Sequence, residues 1–177
     1  MNSFLELSER RQSCRNFSTK PVEHEKLVNC VKSARFSPSG CNAQPWSFVV
    51  VETPELVAEV AKTGQQLGSN SYVANAQAFI IVLEEHAVLM PGIRVFLDSQ
   101  YFAKGDLGSA TVHILLEAED QGLATCVIGM YDRPKLCELL DLPAGQRFGA
   151  FIAVGYAADP THREKIRKPF SEIVKFV

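Results

Sequence analysis

Gly105–Gly129 reads GDLGSATVHILLEAEDQGLATCVIG, and this stretch holds a helix, its stop and a strand. Leu107, Ala110, Thr111, Ile114, Leu115 and Ala118 recur at helical spacing and make one wide apolar stripe. Asp106 stands where an N-cap belongs and Gly122 where a C-cap glycine belongs, so the expected helix is Asp106–Gln121. Ala124–Ile128 follows as a short strand.

The rest of the chain interleaves the same two kinds of element. Upstream, Ala78–Leu83 (AFIIVL) reads as a strand buried on both faces, and Trp46–Val51 as a strand of aromatic and β-branched residues. Thr53-Pro54-Glu55 starts a helix, with threonine as cap and proline at the first position. A helix opening at Pro21 and running to Phe36 presents Leu27, Val28, Val31 and Ala34 on one face. Ser3–Arg11 is a first helix with Phe4, Leu5 and Leu7 as its apolar side, and Ser3 with Glu6 completes a capping box. Downstream, Arg133-Pro134 begins a helix to Leu140, Arg147–Tyr156 is the last core strand, and Phe170–Val177 reads as extended. Gly64–Ala76 and Glu84–Gly105 give no clear pattern.

The order is not a regular βαβ series. No GxGxxG follows the first strand and no GxxxxGK[ST] loop is present, which disfavours a Rossmann domain and a P-loop. The expected fold is α+β: a three-layer sandwich, with a mixed, mainly antiparallel sheet flanked by helices. Residues 1–177 form one domain, without internal repeat or low-complexity linker.

Composition narrows the function classes. Hydrophobic residues are 46% of the 177 and charged residues 21%, ordinary for a globular chain with a real core. A net charge of −2 provides no global field to attract nucleic acid or a membrane surface. No apolar run reaches transmembrane length, and Met1–Glu9 lacks the apolar region of a signal peptide, so the expected compartment is the cytoplasm. Five cysteines make no CxxC pair and no zinc spacing, and no local motif ties a histidine to any of them. No metal site is expected.

Three features carry chemistry, and each has a bland reading when taken alone. Arginine and lysine cluster at both ends: Arg10, Arg11 and Arg15 around Ser13, and Arg163, Lys165, Arg167 and Lys168. Arginine's planar fork suits a phosphate, yet any pair of arginines is more often a solvated face. Ser37–Trp46 (SPSGCNAQPW) presents short polar groups held between prolines, or is simply a connector. Gly122–Gly129 (GLATCVIG) ends a strand on glycine, where a backbone N–H comes close to a ligand.

Together these segments resemble the FMN-dependent nitroreductase family. The carrying stretches are RRQSCRNF (Arg10–Phe17), SPSGCNAQPWSFVVV (Ser37–Val51), the Gly105–Gly129 stretch and IRKPFSEIV (Ile166–Val174), in that order along essentially the whole chain. The resemblance implies an intertwined homodimer, with residues 157–177 reaching the other subunit and FMN lying in the interface. It places Arg11, Ser13 and Arg15 at the ribityl phosphate and the pyrimidine side of the ring, with Arg167 and Lys168 closing on the phosphate. Pro38, Ser39, Gly40 and Asn42 would cover the flavin from the other subunit. Gly129 would give its backbone N–H to flavin N5, with Val127 and Ile128 lining the ring. Gln66 and Asn70 are available for the flavin edge, and Phe102 and Asp106 for the substrate, although core packing and helix capping compete for those two.

The implied activity is hydride transfer from NAD(P)H through flavin N5 to a small planar acceptor of the nitroaromatic or quinone type, in a ping-pong cycle. No catalytic side chain is expected, because the flavin carries the reaction. The competing readings are other flavin chemistry on the same scaffold (reductive dehalogenation or flavin breakdown), flavin storage or sensing without turnover, and a dimer that binds no flavin. The short segment between the second strand and the long helix suggests a more open or differently shaped substrate pocket.

Overall fold

Four strands carry the core of the protein, described here in a computed structural model for residues 3–65, 68–90, 92 and 100–177. They are β1 (Trp46–Val51), β2 (Ala78–Glu84), β3 (Ala124–Val127) and β4 (Arg147–Gly155), in the spatial order β1-β2-β4-β3. The helices are α1 (Phe4–Arg10), α2 (His24–Arg35), α3 (Pro54–Gly64), α4 (Ala103–Asp120), α5 (Arg133–Leu139) and the single turn α6 (Phe170–Ile173).

The sheet separates two apolar layers. Alternation sends Ala78, Ile80 and Val82 of β2, with Ala150, Ile152 and Val154 of β4, against α2 and α4. Phe79, Ile81 and Leu83, with Phe151 and Ala153, face α3 and α5. Both faces of β2 are covered, which is why AFIIVL shows no polar alternation. The three-layer α+β sandwich is the architecture expected from the sequence.

The sheet is mainly antiparallel, as expected. Every pairing of the named strands is antiparallel, because β4 runs against both its neighbours and β2 against β1. The parallel contact among the described residues is the isolated bridge between Ser13 and Thr125, with Cys14 N–H donating to Thr125 O at 2.8 Å.

Local signals fix most element ends. The Ser3–Glu6 capping box forms in both directions, at 3.2 and 2.7 Å. Gly122, at φ 75°, closes α4 with Leu123 N–H on Ala118 O and Gly122 N–H on Glu119 O, a Schellman stop that glycine accommodates at no steric cost. Asp132 caps α5 by accepting from Lys135 N–H at 3.0 Å.

Four expectations shift. α2 begins at His24, not Pro21, because its buried face (Leu27, Cys30, Ala34) starts later. α4 begins at Ala103, so Asp106 lies inside the first turn and is not its N-cap. The apolar side of α1 finds no cover in the chain: Phe4 and Leu5 are 72% and 66% exposed. The tail is not extended throughout, since α6 intervenes before Val174 returns to extended φ/ψ. Gln66 lies outside the described residues. No helix among the described residues is long and apolar enough to cross a membrane.

Candidate functional site

Arg10 and Arg11 leave α1 in opposite circumstances. Arg10 Nε donates to Glu119 Oε1 at 2.8 Å and its Nη2 to Glu119 O at 3.3 Å, so it is already paired. Arg11 Nε is buried and has no partner, alone in this among side-chain nitrogens and oxygens of the described residues. Burial lowers the Arg11 pKa, Cys126 and Glu119 raise it, and the nearby Arg167 lowers it further. Lys165 joins the same group: its ammonium donates to Ser8 O at 2.7 Å, and burial, then Arg167 and Arg11, pull its pKa down. Arg11, Lys165 and Arg167 thus stand near one another beside Glu119, which already pairs with Arg10, an arrangement that suits an anion.

The tail is clamped to this segment. Arg163 Nη2 donates to Ser13 O at 2.7 Å, Arg163 N–H donates to Gln12 Oε1 at 3.2 Å, and Gln12 Nε2 donates to Thr161 O at 3.0 Å. These bonds span about 150 residues of sequence and bring the two basic clusters together. A cavity of about 460 Å³ opens beside them, lined in part by Ser13, Arg15, Ala124 and Arg163. Lys168 is exposed on the tail.

At the end of β3 the side chains alternate sharply. Val127 is exposed, whereas Ile128 is buried in the layer under α3, with its N–H on Phe151 O at 2.8 Å. Ile128 therefore turns away from the open side that Val127 and Gly129 share. Gly129 is exposed, and no atom stands within 4 Å of where a Cβ would be. The next residue is held from behind: Asn70 Nδ2 donates to Met130 O at 3.2 Å and to Gly64 O at 3.0 Å. Asn70 Oδ1 accepts from the Tyr72 hydroxyl at 3.2 Å, so its side-chain amide is spent inside the chain. Tyr72 also accepts from the Cys126 thiol at 3.5 Å. Sequence reading did not single out Tyr72, and it placed Lys165 in the second basic cluster without giving it a role.

The strip Pro38–Asn42 lies elsewhere. Gly40 N–H donates to both oxygens of Asp106, at 3.2 and 3.1 Å, and the Phe102 ring packs so closely that a Cβ on Gly40 would sit 2.9 Å from its Cγ. Ser37 Oγ donates to Ser109 Oγ at 2.8 Å, and Ser39 Oγ accepts from Gln44 N–H at 3.0 Å. Cys41 and Asn42 adopt left-handed φ of 54° and 53°. Asp106 and Phe102 thus anchor the strip, and Pro38 and Asn42 stay exposed.

The strip is fastened to the start of α4 and the cation cluster stands beside Glu119 at its end. Thirteen residues separate Asp106 from Glu119, about 20 Å along the axis at 1.5 Å per residue. One chain therefore holds the two halves of the expected site well apart.

The profile of the nitroreductase family matches residues 9–156. A Streptococcus pyogenes protein, whose name as an NAD(P)H nitroreductase is itself provisional, is 27% identical over 97% of this chain and 98% of its own length. An iodotyrosine deiodinase of Thermotoga neapolitana is 25% identical over 98% of this chain and 97% of its own. A nitroreductase-like protein of Exiguobacterium sibiricum, solved in complex with FMN, superposes with a TM-score of 0.81 at 22% identity, covering all of this chain and 98% of that one. This chain belongs to the nitroreductase family.

Proposed function

We propose that the protein is an FMN-dependent NAD(P)H oxidoreductase whose site is completed by a second copy of the chain. The observation that carries this reading is the buried, partnerless Nε of Arg11 among the cations of Lys165 and Arg167. That donor set fits a phosphate dianion, and Ser13 adds a hydroxyl beside it. Arg15 would stand at the pyrimidine side, and the open face at Gly129 leaves room for a ring to approach its backbone N–H. Pro38, Ser39, Gly40 and Asn42 would close the site from the other chain. When bound, FMN supplies the hydride chemistry between the nicotinamide and a small planar acceptor. Phe102 and Asp106 act on substrate through the strip they anchor. All five cysteines are free thiols, which suits the reducing cytoplasm.

Several unsatisfied surfaces support a dimer. Phe4, Leu7, Val112 and Leu116 line an open groove of about 480 Å³ along α1 and α4. The tail exposes Ile166, Phe170, Ile173 and Phe176 at 63% or more. β1 is an edge strand, and apolar residues of α2 and Val50 form a second groove beside it. Exposed apolar surface on this scale marks an interface. Of the tail from residue 157 onward, Thr161, Arg163 and Lys165 stay bonded to their own chain, and the exposed residues beyond them would reach the other subunit.

The test is the visible spectrum of the purified protein, followed by anaerobic addition of NADH or NADPH. Flavin bands that bleach support the reading. Flavin bands that persist with both nucleotides contradict the reductase and leave a storage role or another donor. Protein that stays colourless after exposure to FMN contradicts the cofactor. The likeness to deiodinases supports one further arm: reoxidation of reduced protein by a halotyrosine, compared with a quinone, assigns the acceptor.

A further inference from the structure

Gly129 sits in a loop that is pinned on both sides of it. On one side Ile128 N–H donates to Phe151 O at 2.8 Å. On the other, Met130 O accepts from Asn70 Nδ2 at 3.2 Å, and Asp132 N–H donates to Thr63 O at 2.9 Å. Thr63 and Gly64 close α3, so the loop is fastened to the end of a helix. Between these fixed points the Gly129 N–H has no acceptor among the described residues, and the residue is exposed.

Asn70 is the side chain that makes the fastening. It precedes the 3-10 turn Ser71–Asn75 with a left-handed φ of 54°, a conformation that asparagine tolerates better than most residues. Both of its amide hydrogens are used, one on Met130 O and one on Gly64 O at 3.0 Å. Its Oδ1 accepts from the Tyr72 hydroxyl at 3.2 Å, which sets which end of the amide meets the two carbonyls. An amide spent in this way has no donor left for a ring. What it controls is the place of the loop.

We propose that Asn70 is a positioning residue of the flavin site: by holding Met130 O to the end of α3, it aims the free N–H of Gly129 at flavin N5. The proposal rests on the FMN reading and deepens it. A hydrogen bond weakens steeply when its donor points away from the acceptor, so a loose loop would offer the same N–H to less effect. A loop ordered beforehand also avoids the entropic cost of ordering it when the ring arrives.

The competing role for Asn70 is a general clasp between α3 and the loop, and two variants separate the roles. Asn70→Gly keeps the left-handed backbone and removes the amide. Asn70→Asp keeps an oxygen for Tyr72 but puts an acceptor where the donors were, opposite two carbonyls. The test is nitrogen magnetic resonance of isotope-labelled FMN bound to wild type and to each variant. The expected result is an N5 resonance that moves downfield in the variants, toward that of a ring whose N5 accepts no bond, while N1 and N3 keep their wild-type positions. Should one variant not hold FMN, the other decides. An N5 resonance unchanged from wild type overturns the proposal. So do N1, N3 and N5 moving together, or loss of FMN from both variants, since either makes Asn70 a general clasp. Wild-type protein whose bound FMN lacks a bond at N5 overturns the placing of Gly129, and wild-type protein that takes up no FMN overturns the flavin reading itself; the proposal falls with either.

Discussion

Replacing Arg11 with methionine has two consequences of opposite sign. Methionine keeps an unbranched apolar stem and removes the guanidinium. In the flavin-free protein, Arg11 carries a buried Nε without a partner and faces Arg167 and Lys165. A buried unsatisfied donor costs ~1–3 kcal/mol. Loss of the attraction to Glu119 offsets part of the relief. The flavin-free variant is therefore expected to be as stable as wild type or slightly more so. In the loaded protein the same change removes charge-assisted bonds to phosphate, worth ~1.5–3 kcal/mol. At 1.4 kcal/mol per decade that weakens FMN binding roughly 10- to 150-fold. The assay is fluorescence titration of flavin-free protein with FMN, paired with melting curves with and without FMN. A variant that binds FMN as wild type does, but melts lower without it, would refute the reasoning. It would make Arg11 a structural residue.

Three further outcomes are expected. The Glu52 carboxylate raises the His24 pKa by a hydrogen bond at 3.0 Å. The stabilisation is therefore fully present below the unfolded pKa of about 6.5 and lost as pH rises through the raised folded value. His24→Gln should lower the melting temperature on the acid side and leave it unchanged on the alkaline side, and a pH-independent difference contradicts this. Burial pushes the Cys30 thiol up to about 12 and raises Cys14, whereas Cys41 is exposed. A maleimide at neutral pH should label Cys41 first, and mass mapping that finds Cys30 labelled equally fast refutes the burial. Truncation before Phe170 removes α6 and the exposed Phe176 and should leave monomers with little FMN; a stable truncated dimer with full flavin content counts against an exchanged tail.

Much of the scaffold is legible because it obeys local rules. WSFVVV and AFIIVL become β1 and β2, Gly122 ends α4, and Ser3 with Glu6 forms its box. Local rules fail where a distant residue competes. Asp106 has the form of an N-cap, but Gly40, 66 positions away, takes its carboxylate, and the helix starts one turn earlier. Ile128 belongs to a glycine-ended strand motif, yet whether it faces ligand or core depends on the register of β3 on β4. Tyr72 escapes notice because its thiol partner is 54 residues on. The two basic clusters read as unrelated surface charge until the Arg163–Gln12 and Arg163–Ser13 bonds join them. Their chemical meaning came from resemblance. The geometry adds the orphaned Arg11 and the separation of strip and cluster along α4.

That separation makes the central claim testable in one measurement: sedimentation of the purified, FMN-saturated protein followed in the visible flavin band. The account predicts that all bound flavin travels at the mass of two chains, with one FMN per chain. Flavin travelling with single chains, or a two-chain species without flavin, would contradict it.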